Sequence, residues 1–250
     1  MKKILVFTLS FLTISLSLLA QDVATTTAPS TVVKSHARPN IPGTFVLELG
    51  LNRIVNPTDK FDIGFWGSRA MNIYYQYDMR ILKSKFSFHP GIGFGLERYK
   101  FRNSYAVAYD NSNVLSMQSA KDLGFSNLKK SQLITNYLDI PLELRFSTNP
   151  EDPARSFKAS IGVRGGYLFN SHTKLKHKED GVMIKEKENR DFSLNKFRYG
   201  VFAKIGGGNF SIFGYYNLST LFKTGQSPVY LNANTSDMNN FTVGISLSSF

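Results

Sequence analysis

Tyr137-Leu138-Asp139-Ile140-Pro141-Leu142-Glu143-Leu144-Arg145-Phe146 alternates without a break. Leu138, Ile140, Leu142, Leu144 and Phe146 fall on one face, and Asp139, Pro141, Glu143 and Arg145 on the other. A period of two held over this length is the signature of a β-strand with one apolar and one polar face. Pro141 cannot donate to a sheet ladder, so this strand is expected to carry a local bulge or an unpaired position there.

The same period recurs in seven further segments, near Thr44–Ile54, Met71–Leu82, Phe86–Phe101, Ser156–Phe169, Phe197–Ile205, Asn209–Phe222 and Asn240–Phe250. Their connections alternate in length. Long ones span Val55–Ala70, Asn103–Gln132, Asn170–Lys196 and Lys223–Met238; short ones span Lys83–Lys85, Ser147–Arg155 and Gly206–Gly208. Outer-membrane barrels have short periplasmic turns and long external loops. Phe45, Phe86, Phe146, Phe157, Phe210 and Phe250 fall at the predicted periplasmic strand ends, as an interfacial girdle would. Trp66, Tyr99, Tyr167 and Phe222 are expected near the opposite rim. Gly91, Gly93, Gly95, Gly162 and Gly200 lie opposite the apolar face, which suits a crowded interior. Alternation alone also fits a soluble eight-stranded barrel or sandwich with the faces reversed. Loop asymmetry, the Phe girdle and the small residues favour an eight-stranded antiparallel up-and-down transmembrane β-barrel, all-β, over residues 43–250.

Residues 1–20 read as a signal peptide: Lys2 and Lys3, an apolar run from Ile4 to Leu19, and Ala20 for cleavage. Residues 21–42, rich in Thr, Ala, Ser and Pro, read as a flexible periplasmic lead-in. The absence of Cys excludes disulfides, thiolate metal sites, a Cys nucleophile and a lipidated Cys. The formal charge is +12. No basic groove interleaved with exposed aromatics follows from the pattern, so no nucleic-acid partner is expected.

Tyr137-Leu138-Asp139-Ile140-Pro141-Leu142-Glu143-Leu144-Arg145 and the Gly-rich Pro90-Gly91-Ile92-Gly93-Phe94-Gly95 resemble strands of PorT-like outer-membrane β-barrels of Bacteroidota, a porin-like barrel domain. The resemblance covers about residues 43–250. It implies an outer-membrane barrel, and for the family's namesake a link to a surface-protein secretion apparatus. One departure concerns the last strand. Gly244, Ser246 and Ser248 are in phase with Phe250, and the apolar set is one residue out, which a terminal bulge would restore.

The polar faces collect Glu48, Asp78, Glu97, Asp139 and Glu143 with Arg80, Arg145, Lys158, Arg164, Arg198 and Lys204. Eight strands leave a bore that side chains fill, and charges enclosed there must pair. The expectation is a salt-bridged interior, with a narrow pore for ions or small solutes as the alternative. Arg53, Arg98, Lys100 and Arg102 form an expected rim cluster for the phosphates of outer-leaflet lipopolysaccharide. His36, His89, His172 and His177 show no fixed acid partner or metal spacing in the sequence, so no cofactor, metal or catalysis is expected. The expected partners are outer-membrane lipid, the barrel-assembly machinery during biogenesis, and a protein met through the external loops. The expected role is that of a structural or interaction barrel.

Overall fold

The computed structural model describes residues 43–55, 57, 60–125, 128–179, 181–223, 226, 228 and 238–249. The expected signal peptide, the lead-in and Phe250 lie outside the described residues. In chain order the strands are β1 (Thr44–Val55), β2 (Arg69–Gln76), β3 (Met79–Arg80), β4 (Phe86–Lys100), β5 (Tyr105–Tyr109) and β6 (Leu115–Ser119). They continue with β7 (Leu128–Ser147), β8 (Phe157–Glu179), β9 (Val182–Asn189), β10 (Phe197–Gly207), β11 (Phe210–Asn217) and β12 (Asn239–Ser248).

Eight of these, β1, β2, β4, β7, β8, β10, β11 and β12, pair antiparallel in that order. The ring closes where β12 returns to β1, with Val46 opposite Ser248. Polar side chains point in and apolar ones point out. On β7, Leu138, Ile140, Leu142 and Leu144 are exposed, while Asp139, Glu143 and Arg145 are buried. On β12, Phe241, Val243, Ile245 and Leu247 are exposed, and Asn240, Thr242 and Ser246 are buried. A closed ring leaves no unpaired edge, and an apolar exterior around a polar interior is the arrangement that hydrocarbon stabilises and water does not.

Pro141 is accommodated by a gap. The β4–β7 ladder lapses at Gly91 and Ile92 and resumes in the same register at Gly93↔Asp139. The register shift on the other side of β7 lies higher, between Asn136 and Tyr137. A second proline interrupts what the sequence presents as one strand over Met71–Leu82. Pro90 offers no N–H across from Tyr77, although its carbonyl accepts from the Tyr77 N–H. The strand therefore divides into β2 and β3.

Two features were unexpected in the long connections. The segment 103–132 holds the β5–β6 hairpin and the first residues of β7. In 170–196, β8 runs on past the ring and β9 folds back on it, His172 opposite Asn189, so β7, β8 and β9 form a projecting three-stranded ribbon. Within the ring at this end, Ile54, Tyr99, Phe101, Leu133, Tyr137 and Leu168 meet loop residues Phe61, Ile63, Phe192, Leu194, Leu221 and Phe222 in an apolar core. Phe61 sits edge-on to Phe101 and Phe222, with ring centroids 4.9 and 5.8 Å apart. Tyr99 and Phe222 are thus corrected from rim residues to parts of this plug: strand parity turns Tyr99 inward on β4, and Phe222, past the end of β11, is held in the plug by its bridge to Leu194. At the short-turn end Phe45, Phe86, Phe157 and Phe210 are exposed, and Phe86 stands 5.4 Å from Phe146.

Candidate functional site

Below the apolar plug the bore holds a chain of ion pairs that reach across it. Arg164 on β8 donates to Glu48 on β1 at 2.8 Å, joining strands on opposite sides of the ring. Lys204 on β10 then bridges Glu48 at 2.8 Å and Glu143 on β7 at 3.0 Å. Arg145 completes the series on Glu143 at 2.8 Å. A second group centres on Arg198 of β10. Its guanidinium takes Asp139 in a fork at 3.1 and 2.6 Å and Glu97 of β4 at 2.6 Å. Tyr99 donates to Glu97, and Asn240 does so at 3.3 Å.

Aromatic rings complete the packing of these cations. Arg164 lies 4.4 Å from the Tyr215 ring centroid and 4.9 Å from that of Tyr74, whose hydroxyl donates to Asp139 at 3.0 Å. Arg198 lies 3.8 Å from the Tyr137 centroid. Planar guanidinium groups suit both the fork and the stack, which ammonium groups do not. Room for the fork comes from glycine. A Cβ on Gly95 would stand 2.2 Å from Arg198 Nη2 and 2.3 Å from Asp139 Oδ2, and one on Gly166 would stand 2.2 Å from Asp139 Oδ1. The four carboxylates Glu48, Glu97, Asp139 and Glu143 thus face four cations, Arg145, Arg164, Arg198 and Lys204, and every member is buried.

Three residues expected in this network lie elsewhere. Arg80 keeps inward parity but falls past the end of the lumen; its side chain is 39 % exposed and pairs with Glu151 of the next turn. Lys158 lies at the short-turn mouth, where its ammonium donates to the Gly208 carbonyl at 2.8 Å. Asp78 is half-exposed at the same mouth, accepts from Thr44 at 3.1 Å and pairs with His89 Nδ1. The Ser87 hydroxyl is 2.7 Å from His89 Nε2. Sequence reasoning missed this Asp78–His89–Ser87 row because Asp78 is separated from the other two by a turn. It has the connectivity of a hydrolytic triad, which also needs donors aimed at a developing oxyanion. The two cations opposite Ser87 in its ladders, Arg80 and Arg145, are paired with Glu151 and Glu143.

The expected rim cluster divides as well. Arg98 and Lys100 face outward on β4. Arg53 stacks over Phe65 at 4.8 Å, and Arg102 pairs with Asp62 at 3.6 Å. His177 is buried against Phe125, with ring centroids 4.1 Å apart. Among the described residues no group of three or more His, Asp or Glu is placed to hold a metal ion.

A closed antiparallel ring, apolar outside and ion-paired inside, with short turns at one end and long connections at the other, defines a barrel of the outer-membrane type. Residues 44–223 match the family described as outer membrane protein beta-barrel domain, and the chain belongs to that family. No curated protein matches the chain. Among solved structures, it is similar to the attachment invasion locus protein Ail of Yersinia pestis at 13 % identity and a TM-score of 0.34, covering 83 % of this chain and 97 % of Ail. It is similar to the N-terminal β-barrel domain of Pseudomonas aeruginosa OprF at 8 % identity and a TM-score of 0.26, covering 83 % of this chain and 98 % of that domain.

Proposed function

We propose that this chain is a sealed outer-membrane barrel that anchors and presents its external end to a protein partner, as an accessory to a surface-protein secretion or envelope complex. One observation carries the reading. The bore is filled twice in series, by the Glu48–Lys204–Glu143 bridge and by the plug around Phe61. An eight-stranded bore has no room to spare once such side chains occupy it. The resemblance to PorT-like barrels supports the accessory role, and export through a cleaved signal peptide belongs to the same proposal.

The test is conductance. Refolded, heat-modifiable protein in a planar bilayer should give no steps above the bare-membrane baseline. Steady steps from correctly folded protein would sink the sealed reading and put a small passive pore in its place. Pull-down from envelopes should then recover a partner that depends on the external loops.

The reading contains no catalytic step, and the Asp78–His89–Ser87 row is taken as a brace at the short-turn mouth. A fluorophosphonate probe that captures activated serines should leave the folded chain unlabelled. Labelling that disappears in Ser87→Ala would make the protein a hydrolase and overturn this part of the proposal.

A further inference from the structure

Charge on the projecting ribbon is segregated by face. Residues directly opposite one another in an antiparallel ladder share a face. On the outward face one row runs Arg69, Arg98, Ile134, His172 and Asn189 across β2, β4, β7, β8 and β9. The next row away from the barrel is Lys100, Gln132, Lys174 and Lys187. Beyond it stand Lys130, Lys176 and Lys185. No carboxylate among the described residues falls on these three rows. The ribbon's glutamates take the opposite face, Glu186 across from Leu175 and Glu188 across from Thr173.

Like charges placed directly opposite destabilise a sheet. Partial desolvation, with Arg98, Lys176, Lys100 and Lys174 nearby, holds the Lys130 ammonium below the ordinary lysine range. A surface that repeats this repulsion over three rows gains from a polyanion laid across it.

A cleft of about 390 Å³ adjoins the face, between the Gly64–Gly67 turn and the start of β7. Trp66, Lys100, Arg102, Lys129 and Lys130 line it. Trp66 is 75 % exposed and braced edge-on by Phe65 at 5.0 Å. An open indole next to cations suits a sugar ring that carries phosphate: the ring stacks, and the cations meet the oxygens.

Height above the bilayer selects the ligand. A strand tilted by about 40° climbs roughly 2.6 Å per residue along the membrane normal, and the apolar band of such barrels is about 25 Å tall. Counted up β7 from Phe146, the band ends near Asn136. The rows through Ile134, Gln132 and Lys130 then stand roughly 5, 10 and 15 Å above the hydrocarbon edge by the same rise per residue. That is the headgroup layer of the outer leaflet.

We infer that this cationic face and the Trp66 cleft together bind the phosphorylated saccharide of outer-leaflet lipopolysaccharide. Arg98 and Lys100 of the rim cluster belong to the face, and most of its charge comes from the ribbon. The inference rests on the outer-membrane placement and is independent of whether the lumen conducts.

The experiment uses the full chain refolded into phosphatidylcholine vesicles containing lipopolysaccharide, then extracted in detergent at moderate salt, with lipopolysaccharide counted per barrel. The combined variant Lys174→Gln, Lys176→Gln, Lys187→Gln should retain at least about tenfold less than the parent. Glu186→Gln with Glu188→Gln, on the opposite face, should retain as much as the parent. Dephosphorylated lipopolysaccharide should be held poorly by all three chains. Each lysine replacement removes a repelling charge, so folding, checked by heat-modifiable migration, should persist. Should the triple variant fail to fold, single Lys176→Gln should still make retention less steeply dependent on salt. Equal retention by the parent and the lysine variants overturns the inference. So does a variant that loses soluble polyphosphate yet keeps lipopolysaccharide, which would assign the face to a soluble polyanion.

Discussion

Arg198→Met should lower the stability of the folded barrel by about 3–5 kcal/mol, the usual cost of removing one member of a buried ion pair. The size follows from what is left behind. Arg198 serves both Glu97 and Asp139, and both carboxylates are buried. Without it, two anions face each other in the bore with only Tyr74, Tyr99 and Asn240 as donors. Arg198→Lys should recover only part of the loss, because an ammonium cannot make the fork to Asp139 and reach Glu97 while stacked on Tyr137. The triple replacement Arg198→Met, Glu97→Gln, Asp139→Asn should return close to the parent, since polar groups exchanged together leave no orphan charge. The measurement is the urea midpoint of the heat-modifiable form for all four chains. An Arg198→Met barrel with the parent's midpoint would mean that the pairs contribute nothing to holding the ring.

Part of this site is legible in the sequence. Strand parity alone places Glu48, Glu97, Asp139, Glu143, Arg145, Arg164, Arg198 and Lys204 on polar faces, because a period of two leaves a residue only two directions. Parity does not say which acid meets which base. The partners Arg164 and Glu48 are 116 residues apart and sit on strands across the ring, so the pairing depends on closure. Arg80 shows where parity stops working: it has inward parity, but the strand has passed the end of the lumen and the exposed side chain pairs with Glu151.

The apolar plug was hidden for a different reason. Tyr99 and Phe101 share parity with Glu97, and Tyr137 shares it with Asp139. That was the available signal for an inward apolar core. An aromatic near a strand end reads equally well as part of an interfacial girdle. The cationic face was masked by counting. The segment 170–196 has seven bases and five acids, nearly balanced in sum. Lys185-Glu186-Lys187-Glu188 alternates with period two, so once it becomes a strand its bases and acids separate completely. Net charge over a segment carries no information about that separation.

Opening the bore should require breaking both of its fillings, and this gives the second large effect. Phe61 is fully buried between Phe101 and Phe222, and Phe61→Ala should cost the plug about 3–5 kcal/mol. The eight-stranded ring does not depend on that contact. Folded Phe61→Ala barrels should therefore keep their heat-modifiable migration while trypsin gains access to the connections at 60–68 and 101–125. Below the plug, Lys204→Gln removes the bridge between Glu48 and Glu143 but leaves each its arginine, Arg164 and Arg145. The ring should survive, with an uncompensated negative charge in the bore that draws in water. Barriers in series block a path if either one stands. Phe61→Ala and Lys204→Gln alone should each leave a planar bilayer silent, and the double variant should give steps that favour cations. Steps from Lys204→Gln alone would show that the plug does not seal. Steps from Phe61→Ala alone would show that the ion-paired layer does not. Silence from a folded double variant would mean that the remaining side chains, Arg164 stacked on Tyr215 and Arg198 on Tyr137 and Asp139, fill the bore without help from either.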